Sequence, residues 1–162
     1  MTTNIYKLAA VLLFLAGNFY SCNKDPELAF NRKEFVRNKK KWEDLNIKDY
    51  SIEYLINGEI NYESGTTVLK NGEIYSFVSI WGSNTVAFDF CLSIDDIFRK
   101  VEYIANNPIL EKRSRNDYFY CHEILVEYDE TYFYPRSVSF FYKGKRVSSA
   151  DWGVKIIRFD AE

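Results

Sequence analysis

The sequence is poor in the residues that carry most catalytic and metal chemistry. One histidine, three cysteines, seven glycines and three prolines occur among 162 residues. The single histidine, His122, excludes a His-pair metal site, and neither a Cys-x-x-Cys nor a calcium loop of alternating acids is present. The few glycines build no phosphate-cradling loop and no Gly-x-Ser-x-Gly elbow. Excess charge is lacking too. With 21 Lys and Arg against 23 Asp and Glu the net charge is −2, too small to draw a polyanion, so no nucleic-acid partner is expected. The longest apolar run, Leu8 to Tyr20, is broken by Gly17 and Asn18 and falls short of the ~20 residues of a spanning helix. No cofactor, no metal and no catalytic residue is expected from these patterns.

Aromatic residues are abundant. They make up 18% of the chain, with 13 Tyr and 13 Phe, inside a hydrophobic fraction of 47%. Such a composition argues against disorder and toward a fold containing a pleated, half-buried sheet. The length suffices for one domain with a sizeable core.

The apolar run follows Lys7 and ends in "FYSC", Phe19 to Cys22. A short apolar segment behind a lone cation describes a secretory signal peptide. The cysteine at its end resembles the bacterial lipobox, where cleavage precedes a cysteine already carrying diacylglycerol. Phe19 and Tyr20 depart from the usual box, and the competing reading is an ordinary signal peptide. The expected organisation is a leader over residues 1–21, lipidation at Cys22, a tether over 22–26 and a single domain over 27–162. Two or more acyl chains on one terminus give stable attachment, whereas one gives marginal binding. The expected partners are the membrane, through that lipid, and an envelope protein or glycan, for a protein that is itself a monomer. The inner membrane, the periplasmic face of the outer membrane and the cell surface all stay open.

Cys91 and Cys121 remain. In an oxidising compartment they form a candidate disulfide, worth about 3–4 kcal/mol in the chain-entropy picture. Two independent buried thiols are the alternative.

Residues 25–45 read as a helix capped by Asp25, with Pro26 in the first turn and Leu28, Phe35, Trp42 and Leu45 on one face. Its remaining surface is basic, either solvated or turned toward anionic headgroups. Tyr50, Ile52, Tyr54 and Ile56 alternate as in a strand, and Asn57-Gly58 and Asn71-Gly72 offer type I′ hairpin turns. A second helix starts at a box-like cap, Ser93 with Asp96, carries Ile94, Ile97, Phe98, Val101, Ile104 and Ala105 as its apolar stripe, and stops at Asn106, Asn107 and Pro108. Residues 109–117 read as an exposed charged loop, followed by three strand segments over 118–129, 136–143 and 153–160. The expected fold class is α+β: an antiparallel sheet with two main helices, in the order helix–strands–helix–strands.

Cys121 and His122 are neighbours, but neighbours in a strand point to opposite faces, which excludes a thiol–imidazole dyad. The expected function is a binding or structural module of the envelope; the alternatives are a cryptic hydrolase acting on envelope material, with Glu123, Asp129 and His122 as its candidates, and an inhibitor-like domain whose aromatic sheet face covers a partner protein. The last third is crowded with aromatic residues, and Tyr128, Tyr132, Phe133 and Tyr134 with Asp129 form the candidate binding surface. The alternative is that these tyrosines cover a two-faced sheet.

Taken in order, Trp42, Asp49 and Tyr50, Asn71 and Gly72, Ile94, Asp95 and Phe98, Tyr128 and Asp129, Tyr134 and Pro135, Asp151, and Ile157 and Phe159 resemble the pattern of a bacterial lipoprotein family known as "domain of unknown function 6174". The resemblance spans about residues 35 to 160. It implies an envelope lipoprotein and brings no established activity. The family has Gly where Phe133 stands, which implies a different backbone in the turn before Pro135. Among the matched residues, Trp42 reads as a core anchor, Asp95 as a first-turn acid and Asp129 as a partner of turn amides.

Overall fold

The computed structural model describes residues 27–57, 62–79, 92–114, 117–144 and 152–161. Within them the order is α1 (Arg32–Leu45), β1 (Tyr50–Asn57), β2 (Tyr62–Lys70), β3 (Glu73–Ser79), α2 (Ile94–Asn106), β4 (Ile109–Ser114), β5 (Asp117–Tyr128), β6 (Pro135–Lys143) and β7 (Trp152–Ala161). The strands form one sheet in the order β3-β2-β1-β7-β6-β5-β4, and every neighbouring pair is antiparallel.

The fold class is mostly β, which corrects the α+β expectation. Two physical reasons account for the difference. First, β1 pairs with the last strand, β7, so the two groups of strands fuse into a single sheet that the helices do not frame. Second, the charged stretch expected to be a loop is the edge strand β4, in register with β5 through Ile109↔Tyr120 and Lys112↔Tyr118. A short edge strand tolerates charge because one of its sides has no neighbour to pair with.

The sheet buries one face. Tyr50, Ile52, Tyr54 and Ile56 of β1, Ile124 of β5, Val138 and Phe140 of β6, and Val154 and Ile156 of β7 all lie in the core. This follows from the period of two in a strand, which sends alternate residues to one side. The helices cover that face as an antiparallel pair. Arg32 at the start of α1 donates to Ala105 O (3.0 Å) and Asn106 Oδ1 (2.9 Å) at the end of α2, while Trp42 near the end of α1 meets Asp95 at the start of α2. Between them Phe35 and Phe98 pack edge to face at 5.8 Å. The opposite sheet face is polar around Glu53, Lys155, Arg158 and Asp160, with Leu125 and Ile157 exposed.

Local signals explain most boundaries. The α2 capping box is complete: Asp96 N donates to Ser93 Oγ (3.1 Å) and Ser93 N to Asp96 Oδ2 (2.9 Å). Its six expected stripe residues are the six that are buried. The turn Asn71-Gly72 has φ of 55° and 79°, the two positive values that a type I′ hairpin demands. It is held from outside by Asp49 Oδ1, which accepts from Asn71 N (2.6 Å), and by Lys48 O, which accepts from Gly72 N (2.9 Å).

Two local expectations are corrected. α1 begins at Arg32 rather than near Asp25, which lies outside the described residues with Pro26. Asn31 is the cap: its Oδ1 accepts from Glu34 N (3.2 Å) and its amide donates to Glu34 Oε2 (2.8 Å), a reciprocal pair. The preceding residues are extended, and Ala29 forms a parallel bridge with Glu123, donating to His122 O (2.8 Å) and accepting from Ile124 N (3.0 Å). Likewise Asn57 pairs with Tyr62, a register that does not fit a two-residue turn at Asn57-Gly58; Gly58 itself lies outside the described residues.

Candidate functional site

The candidate surface centres on the six-residue connection from β5 to β6, whose ends are fixed by the pairing of Tyr128 with Pro135. Asp129 organises it. Its Oδ1 accepts from Thr131 N (2.9 Å) and Tyr132 N (2.7 Å), its N–H donates to Tyr134 O (2.9 Å), and its carbonyl accepts from Phe133 N (3.0 Å). The carboxylate is thus engaged by backbone amides, the turn role read from the sequence. Phe133 has φ of 63°, the left-handed conformation that glycine adopts without cost. The turn therefore keeps a glycine-type backbone, unlike the different backbone that the resemblance implied. The Lys41 ammonium sits 4.1 Å from the centroid of the Phe133 ring.

The other aromatic candidates turn inward. Tyr134 is only 6% exposed, stacked on Phe159 at 4.7 Å and edge-on to Trp42 at 6.3 Å. Burial pushes its hydroxyl up to about 12, with the Asp129 carboxylate adding to the rise and Arg136 opposing it. Tyr132 lies 5.0 Å from the Phe159 ring. Tyr128 is half-buried beside a cavity of about 20 Å³ lined by Phe30, Asn31, Glu34, Ile124 and Val126. A volume of that size has room for one water and no more. Burial raises the Tyr128 hydroxyl well above its ordinary value; Glu34 adds to the rise and Arg37 opposes it. The five expected residues are thus brought together at one end of the sheet, but Tyr134 belongs to the core and Asp129 to the turn.

Cys121 is 0% exposed and its thiol donates to Glu123 O at 3.3 Å. It is a free thiol; Cys91, the other half of the candidate disulfide, lies outside the described residues, as does Cys22. Burial pushes the Cys121 thiol up to about 11, which leaves almost no thiolate near neutral pH. His122 is half-buried, its ring 6.5 Å from that of Phe141, and its Nδ1 has no hydrogen-bond partner among the described residues. Glu123 and Asp129 are separated by roughly 20 Å of extended strand. Among the described residues no three His, Cys, Asp or Glu side chains gather as a metal site, and no helix is long and apolar enough to cross a membrane.

The sequence reading missed one contact that ties the helices together. Trp42 Nε1 donates to Asp95 Oδ1 at 2.9 Å, while Tyr50 and Tyr54 hydroxyls accept from Ile94 N (3.1 Å) and Leu92 N (3.2 Å) at the start of α2. Each residue stood out individually as a core or cap residue, and nothing in their spacing announced the pairing.

Compared with known proteins, the chain matches no family model, and no curated protein matches it.

Proposed function

We propose that this protein is exported, tethered to a bacterial membrane by lipid on Cys22, and serves there as a binding or structural module. The observation that carries this reading is the apolar leader, behind a lone cation, that ends on Cys22. The motif order shared with the lipoprotein pattern supports it. The module reading is favoured over a hydrolase because the three hydrolase candidates do not gather: Asp129 is bound to turn amides and lies roughly 20 Å along the strand from Glu123. The Cys121 thiol is buried and bonded to a carbonyl.

The test is the intact mass and membrane partition of the full chain from a bacterial host, as wild type and as Cys22→Ser. A lipid-sized mass increase on a chain starting at Cys22, absent from the variant, is the expected result. An unmodified mature chain in the soluble export fraction refutes it.

A further inference from the structure

Among the described elements, α1 has a marked positive charge of its own. α1 carries six cations against three acids, in a chain whose net charge is −2. Helical geometry sorts these charges. Phe35, Asn38 and Trp42 face the core, so Lys33, Arg37 and Lys40 point directly away from it, flanked by Val36 at 57% exposure. Alongside, α2 contributes Arg99 and Tyr103, the latter 60% exposed.

Most charges on this surface are paired with one another, so Arg37, Lys39, Lys40 and Arg99 are each screened by an acid and exchange that partner for a headgroup on docking. Glu34 pairs with Arg37 (3.4 Å), Asp44 with Lys40 (3.0 Å), Glu102 with Lys39 (2.8 Å) and Asp96 with Arg99. Lys33 is in no ion pair among the described residues. A cationic stripe bearing one exposed aliphatic and one exposed tyrosine suits a lipid–water interface, where headgroups take the charges and the apolar bodies sit at the acyl boundary.

The tether limits where such a surface can go. Arg32 stands ten residue steps after Cys22, and an extended chain spans at most about 3.5 Å per residue. The first turn of α1 therefore stays within about 35 Å of a lipid on Cys22, which gives this face a high effective concentration at the bilayer. We propose that the outer face of α1, centred on Lys33, Arg37 and Lys40 and assisted by Arg99 and Tyr103 of α2, docks on an anionic phospholipid bilayer. This orients the opposite sheet face toward the envelope space. The proposal rests on lipidation at Cys22 for its geometry, while its charge argument stands without it.

The experiment is amine acylation of the purified full chain in vesicles of phosphatidylcholine alone or with phosphatidylglycerol, read lysine by lysine by mass spectrometry. Lys33 and Lys40 should label at least fivefold more slowly on the anionic vesicles, and Lys155 on the opposite face should not change. Lys33→Gln/Arg37→Gln, with circular dichroism reporting that it is folded, should lose most of that protection. Equal labelling of Lys33 and Lys40 on both vesicles overturns the proposal. So does protection already present in detergent that grows with protein concentration, which would give the face to a second copy. The intact mass separates the two readings. A lipidated chain without protection keeps the anchor and refutes the docking face, whereas an unlipidated chain protected only by anionic vesicles keeps the docking face and refutes the anchor.

Discussion

Phe133 offers a clean separation of backbone from side-chain energetics. Its φ of 63° places an L-residue in the left-handed region, at a cost of roughly 1–2 kcal/mol that glycine avoids. Glycine in turn frees the unfolded chain, which costs about 0.4–1 kcal/mol relative to alanine. Both Phe133→Gly and Phe133→Ala remove the ring from beneath Lys41, a contact worth about 0.5–1 kcal/mol, and both give up the same partly buried area. The ring cancels in the comparison, and the difference between the two variants reports the backbone alone. Phe133→Gly should be more stable than Phe133→Ala by about 0.5–1 kcal/mol. Phe133→Asn should fall between them or match glycine, since asparagine tolerates the left-handed region. The assay is urea denaturation followed by tryptophan fluorescence, with Trp42 beside Tyr134 as an internal reporter. Equal slopes are required, so that a change in midpoint reads as stability. An alanine variant as stable as the glycine variant, or more so, would refute a left-handed residue at 133.

Two further outcomes are expected. Trp42→Phe keeps a ring in the aromatic cluster but removes the donor to Asp95, whose exposed carboxylate then turns to water; a loss of about 1–1.5 kcal/mol is expected in the same denaturation assay. Asp95→Asn, which retains an acceptor, should lose less, and an equal or greater loss would contradict the hydrogen bond. Raised pKa values predict a stability that declines in alkali. Cys121 binds its proton more tightly in the fold (about 11, against 9.0 unfolded), so its contribution is complete below about pH 9 and lost as pH rises through 11. Tyr134 and Tyr142, each pushed by burial from 10.0 to about 12, extend the decline to about pH 12. Cys121→Ala should flatten the part between pH 9 and 11, and a wild-type stability that is level across that window would exclude a buried thiol at 121.

The elements whose information is local were legible in the sequence. The α2 stripe and its Ser93–Asp96 box, the alternation of β1 and the Asn71-Gly72 turn each depend on side chains within one turn or one hairpin, and all are present. What failed depends on distant partners. Asp25 and Asn31 both satisfy the chemistry of a helix cap; the choice between them is made by the bridge from Ala29 to β5, nearly a hundred residues along the chain. The stretch 109–117 is too charged for a buried strand, and only its place beside β5 makes it an edge. The same holds for the aromatic turn. Composition placed Tyr128 to Tyr134 together, but which rings face outward is set by Phe159 and Trp42, brought from the last strand and the first helix. The inward rings take the candidate aromatic surface largely out of reach of a partner. What remains accessible is the polar sheet face and the cationic helix face, and the second lies on the element nearest Cys22. Among the described helical surfaces, the side of α1 opposite the core combines net positive charge with an exposed aliphatic; under the proposed attachment at Cys22 this side turns to the bilayer and the sheet face is the one left for partners.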